Sequence, residues 1–186
     1  HGYQSTIQDV KQSLEYLNMS YIDLFFIHNP YCYHEGGPDA CEGTWKDTWR
    51  ALEYLKANQM VHRIGVSNFD VPLLQELMLL SQNAPDAVQN HHDPLTQDRD
   101  VIAYCRKTGI FYQSFSTLGR QYVVGNHRHL PNPVLNHPVI TAMAEKYSKS
   151  PAQITLRWAV QQGIGIIPKS EHKERIQQNR RLDFEL

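Results

Sequence analysis

Five apolar stretches of this chain each hand over to a group that can do chemistry. IDLFFIHNP, residues 22–30, runs from Ile22 to Ile27 with one acid, Asp23, and stops on His28. HRIGVSN, 62–68, ends on Ser67 and Asn68. PDAVQN, 85–90, ends on Gln89 and Asn90. GIFYQSFS, 109–116, ends on Phe115 and Ser116, and GIGIIPKS, 163–170, ends on Lys169 and Ser170. An imidazole, a hydroxyl, carboxamides, an aromatic ring and an ammonium suit a neutral polar ligand that carries a phosphate. Asn68 and Gln89 can exchange paired hydrogen bonds with a carboxamide. Phe115 can stack on a flat ring. Lys169, Ser170 and Arg175 can hold a phosphate, Arg175 through its planar fork.

The elements between these ends are helical. Ser5 followed by Gln8 reads as a capping box, with Ile7, Val10, Leu14 and Leu17 on one face. A second helix starts near Thr44 with Trp45, Trp49, Leu52 and Leu55 inward. Asp70 caps a third helix, running to about Ser81. Residues 98–108 form a fourth, stopped by Gly109. A connection over 117–133 precedes a helix at 136–148. Ser150 before Pro151 opens the next helix, which ends near Gly163, and a last piece covers 172–181. Helices therefore alternate with strands at 22–28, 62–68, 85–90, 109–116 and 163–170. Short strands apolar on both faces predict a parallel α/β sheet covered by helices. In such folds the carboxyl ends of the strands lie at one face, where ligands sit. Nothing divides the chain by composition, so residues 1–186 read as a single domain.

Composition excludes several classes. Apolar content is 41% and charged content 20%, ordinary globular values. Lys and Arg number 18 against 19 Asp and Glu, so no basic field points to nucleic acid or to a membrane surface. The longest apolar run falls well short of the roughly 20 residues a membrane span needs. The opening HGYQSTIQDVKQ has no signal-like stretch and no initiator Met, as if the chain were already missing its beginning. Three cysteines, an odd and sparse count, predict reduced thiols in a cytoplasmic protein, with a Cys32–Cys41 bridge within one loop as the less favoured alternative.

SLEYLNMSYIDLFFIHNP, HRIGVSNF, QSFSTLG and GIIPKSEHKERIQQN, in this order and spacing, resemble the aldo-keto reductase family over essentially the whole chain. The resemblance implies a (β/α)8 barrel of the TIM type, here incomplete with about five βα units, that reduces small aldehydes and ketones with NADPH. It implies that His28 hydrogen-bonds the substrate carbonyl. Ser67, Asn68 and Gln89 would bind the nicotinamide carboxamide, and Phe115 would stack where the family usually has a tyrosine. Lys169, Ser170 and Arg175 would take the adenosine 2′-phosphate and Asn179 the adenine. His172 stands where the family often has Thr or Ser, and Asn29 where it commonly has Trp. The family's catalytic Asp, Tyr and Lys belong to the first three βα units, for which this chain has no motif. The resemblance therefore implies that these residues alone are inactive and that another segment or chain supplies those units. A non-catalytic nucleotide-binding or regulatory subunit is the alternative.

Structural readings stand beside these. His28 could be a core histidine, Ser67-Asn68 a helix cap, Gln89 a solvated strand end and Phe115 core packing. Lys169 and Arg175 could belong to a solvated face, and His91-His92 could be loop residues. Cys32, His34 and Cys41 match no standard zinc spacing, so no metal is expected.

Overall fold

The computed structural model describes residues 2–32, 42–127 and 129–186. Helices α1 (Tyr3–Leu17), α2 (Trp45–Ala57), α3 (Val71–Leu80), α4 (Arg99–Thr108), α5 (Pro138–Tyr147), α6 (Pro151–Val160) and α7 (Lys173–Arg180) alternate with five strands. These are β1 (Ile22–Ile27), β2 (Val61–Ser67), β3 (Ala87–His91), β4 (Phe111–Phe115) and β5 (Gly165–Ile166), in the sheet order β1-β2-β3-β4-β5. The pairs β1–β2, β2–β3 and β4–β5 are parallel. The chain packs as two compact units, residues 1–89 with 100–111 and residues 90–99 with 112–186.

In the first unit the apolar stripes decide the packing. Trp49, Leu52 and Leu55 of α2 and Leu74 and Leu77 of α3 are buried, with Val61, Ile64 and Val66 of β2. Asp86 ties helix to strand. Its carboxylate accepts from Lys56 Nζ at 2.7 Å and from the Ile64 backbone N–H at 2.9 Å. Thr44 and Asp47 form a capping box at α2, and Asp70 Oδ1 accepts from Leu73 N at 2.9 Å to start α3. Gly65 lets β1 and β3 close on β2. A Cβ there would meet the Phe26 ring at 2.6 Å and the Ala87 carbonyl at 2.7 Å.

Two expectations fail in this unit. α1 begins at Tyr3 rather than at Ser5, with Gly2 as an N-cap that makes no side-chain bond. Ser5 does not cap the helix, and Thr6 only donates back from Oγ1 to the Gly2 carbonyl at 2.6 Å, which meets no N–H of the helix start. The strand at 22–28 is also less buried than its apolar run suggests. Among the described residues β1 pairs with β2 alone, and Ile27 is the one β1 residue fully buried.

In the second unit, Ser150 and Gln153 complete a capping box at α6, and Pro151 takes the first helical position. Ile140, Ala144 and Ile154 form a small core packed by Met143, Tyr147, Phe184 and Leu186. The fifth strand shrinks from the expected eight residues to Gly165–Ile166. Pro168 cannot donate to a ladder, which limits pairing there. The connection before α5 holds 3-10 turns at Arg120–Val123 and Gly125–His127. Asn132 clamps it, donating from Nδ2 to the Leu118 carbonyl at 2.8 Å.

Cys32 is disulfide-bonded and Cys105 is a buried free thiol. Reduced thiols throughout are thus not what the structure holds; a count of cysteines carries no geometry. His34 and Cys41 lie outside the described residues, and among the described ones no three His, Cys, Asp or Glu side chains gather as a metal site. No described helix is long and apolar enough to cross a membrane.

The close approach at Gly65 is testable. Gly65→Val is expected to cost about 1–3 kcal/mol, the usual range for overpacking. Urea denaturation measures it, and an unchanged midpoint would refute the approach.

Candidate functional site

In the first unit, the ends of β1, β2 and β3 are joined by their own polar groups. The register sets Ser67 against Gln89. Ser67, buried, donates from Oγ to the Gln89 carbonyl at 2.6 Å. The Asn68 backbone N–H donates to the same carbonyl at 3.2 Å. Asn68 Nδ2 donates to the His28 carbonyl at 2.8 Å and to Ser67 Oγ at 3.3 Å. Asn68 sits at φ 62°, a left-handed conformation that Asn tolerates better than most residues. This turn stops the strand and aims the amide across the strand ends. The structure therefore joins Ser67 and Asn68 to the backbone carbonyls of His28 and Gln89 in one hydrogen-bonded set. The His28 side chain is exposed, which removes the core-histidine reading. Asp70, three residues from Ser67, is the true helix cap.

In the second unit, Phe115 ends β4 half-buried, and Ser116 follows at φ 54°. Lys169, Ser170, His172 and Arg175 line a cleft of about 680 Å³ with Ser116, Arg120 and others. Ser170 Oγ accepts from the His172 backbone N–H at 3.2 Å, which turns the chain toward α7. Lys169 pairs with Glu171, both well exposed. Asn179, one turn past Arg175 and half-buried, is not among the residues lining that cleft.

The residues after Gln89 carry order that their sequence does not advertise. His92 is not a loop residue. It is 1% exposed, stacked on Trp158 at 4.8 Å and edge-on to Tyr112. Its Nδ1 accepts from the Asp98 backbone N–H at 3.3 Å, so the neutral ring carries its proton on Nε2, which has no partner among the described residues. Burial pushes the His92 pKa down from 6.5, against the opposing charges of Asp98 and Asp93.

Asp93 is fully buried beside His92. It accepts from His91 Nε2 and Gln121 Nε2 at 2.7 Å and from the backbone N–H groups of Leu95 and Thr96 at 2.7 and 3.0 Å. Burial alone would raise its pKa, but these donors together hold it below the ordinary carboxylate value. The His91 ring lies 5.9 Å from Phe115 and 6.3 Å from Tyr122. His91, Asp93 and Gln121 escape a sequence reading because the three converge from segments 28 residues apart. The His-His-Asp-Pro run was the one signal available.

These features define a parallel α/β protein whose strand ends carry polar, hydrogen-bonded groups. The model of the Aldo/keto reductase family matches residues 1–185, and the chain belongs to that family. It is 37% identical to a glyoxal reductase of Bacillus subtilis over all of this chain and 60% of that protein. It is 34% identical to an NADPH-dependent D-xylose reductase of Meyerozyma guilliermondii, over all of this chain and 65% of the relative. An aldo-keto reductase of Bombyx mori in complex with NADP superposes with a TM-score of 0.89 at 32% identity, over all of this chain and 60% of that one. The chain thus spans about 60% of the length of these relatives, and its fold is part of a TIM-type barrel.

Two outcomes follow from the buried pair. A depressed His92 pKa in the folded state means the unfolded chain binds the proton more readily between the two values. Stability is therefore expected to be full above pH 6.5 and to fall as pH drops through the lower folded value. Thermal unfolding between pH 8 and 5 reads this, and His92→Phe should flatten that decline. Asp93→Ala removes the acceptor of four hydrogen bonds and should cost about 2–4 kcal/mol. A loss under about 1 kcal/mol in a urea titration would contradict its role.

Proposed function

We propose that the protein reduces the carbonyl of a small aldehyde or ketone with NADPH. The observation that carries the reading is the hydrogen-bonded set of His28, Ser67, Asn68 and Gln89. In it Asn68 uses its amide nitrogen inside the protein, and its Oδ1 has no partner among the described residues. That oxygen is an acceptor suited to a carboxamide N–H. Ser67 and Gln89 are assigned to the same group. The donor set of the second unit also suits the dinucleotide. Phe115 offers a ring face. Lys169, Ser170 and Arg175 offer two cations and a hydroxyl for a 2′-phosphate, and Asn179 an amide for adenine.

The nicotinamide cofactor, when bound, supplies the hydride chemistry. His28 orients the substrate by donating an N–H to the carbonyl oxygen, and it polarises that carbonyl as it does so. A carbonyl that gains a hydride also needs a proton. The family's tyrosine, with its lysine and aspartate, gives that proton, and none of the 186 residues takes its part in this reading. We read residues 1–186 as one partial barrel domain, inactive alone and completed by the first three βα units, on this polypeptide or on another. A cytoplasmic location belongs to the same reading and rests on the family; the disulfide at Cys32 argues against it.

Titration of the protein with NADPH, followed by cofactor fluorescence, tests binding. Arg175→Ala should weaken NADPH by about tenfold while leaving NADH within about twofold, since one charged contact to phosphate is lost. An unchanged preference would remove Arg175 from the site. Binding without turnover of an aldehyde, even with the Asp, Tyr and Lys units present, would favour a non-catalytic subunit.

A further inference from the structure

We propose that Glu171 sets the preference between phosphorylated and unphosphorylated nicotinamide cofactors, and that the protein accepts NADH as well as NADPH. The inference rests on the cofactor reading above and deepens it. Among the described residues, Glu171 is the one acid that lines the 680 Å³ cleft. That cleft also holds Lys169, Arg175 and Arg120. Its carboxylate bonds Lys169 Nζ, the group assigned to the 2′-phosphate. The bond to Lys169 and its charge, with Arg120 behind them, hold the Glu171 carboxyl below the ordinary carboxylate value, so it is ionised at neutral pH. The cation meant for the phosphate thus already carries an anion from its own chain.

Two consequences follow from the charge alone. A 2′-phosphate entering the cleft must share the Lys169 ammonium with Glu171 or displace it, and it then lies beside a second negative group. A ribose bearing a free 2′-hydroxyl meets no such opposition, because a carboxylate accepts its O–H. Acidic side chains do this in dinucleotide sites selective for the unphosphorylated cofactor, as arginine does for the phosphorylated one. Here both kinds of group line one cleft. Glu171 and Lys169 are each about four-fifths exposed, so the pair opens easily and the effect is one of balance, not exclusion.

The test is fluorescence titration of wild type and Glu171→Gln with NADPH and with NADH. The substituted residue is exposed, so folding is not at stake. Glu171→Gln should bind NADPH about fivefold more tightly and NADH about fivefold more weakly, the scale of one exposed charge. Glu174→Gln, an exposed acid of the same segment, should leave the ratio unchanged. An unchanged ratio in Glu171→Gln, with both cofactors still bound, overturns this inference and leaves the cofactor reading standing. An equal shift in Glu174→Gln also overturns it, because net charge would then be the cause. Binding of neither cofactor to the wild type ends both.

Discussion

A parallel strand that stops leaves peptide carbonyls which no neighbour's ladder can reach, and buried carbonyls must find donors. That constraint organises this molecule. The Gln89 carbonyl is satisfied twice, by Ser67 Oγ and by the Asn68 N–H, and the His28 carbonyl by Asn68 Nδ2. The His92 carbonyl accepts from Ser114 Oγ at 2.6 Å, and the Phe115 carbonyl from the His92 N–H at 3.4 Å. The residues that close the strands structurally are those, or lie beside those, assigned to a ligand. A side chain already held by the backbone of its neighbour loses little freedom when it meets a ligand.

The same constraint explains what a reader of the sequence can and cannot see. Apolar runs, capping boxes and the glycine stops at 109 and 163 place most elements within a few residues, since they act locally. Asp70 and Ser150 cap their helices as their positions suggest. The start of α1 goes the other way. Ser5 has the right spacing for a cap, but the Gly2 N–H donates to Thr48 Oγ1 at 3.2 Å, a contact with α2 that no local pattern reports. The partial exposure of β1 is hidden for a related reason. An apolar run says that a strand can be buried and not what covers it.

Of the candidate site, the hydroxyl and amide ends of β2 and β3 were legible because they sit at the last positions of clear strands. His92 and Asp93 were not. Next to Pro94, in a run of polar residues, they look solvated, yet both are buried. His92 is covered by Trp158, sixty-odd positions on, whose ring lies at 13° to parallel. Tyr112 completes the arrangement by donating its hydroxyl to Asp98 Oδ2 at 2.9 Å, beside the Asn90 amide at 2.8 Å. Such networks join distant segments, and spacing along one segment cannot encode them.

Buried and exposed polar groups therefore divide the labour. Asp93, buried, is committed to internal donors and cannot leave them without stranding charge, and the half-buried Asp86 and Asp98 are likewise held by internal donors. His28 and Arg175 are exposed, as are Lys169 and Glu171, which pair with each other. A weak, solvated pair can exchange its partner for a ligand at small cost, whereas a buried one cannot. Selectivity that evolves by changing single surface residues would act on the second set and leave the first untouched. The fold can thus keep one hydrogen-bonded frame while the charges at its rim vary.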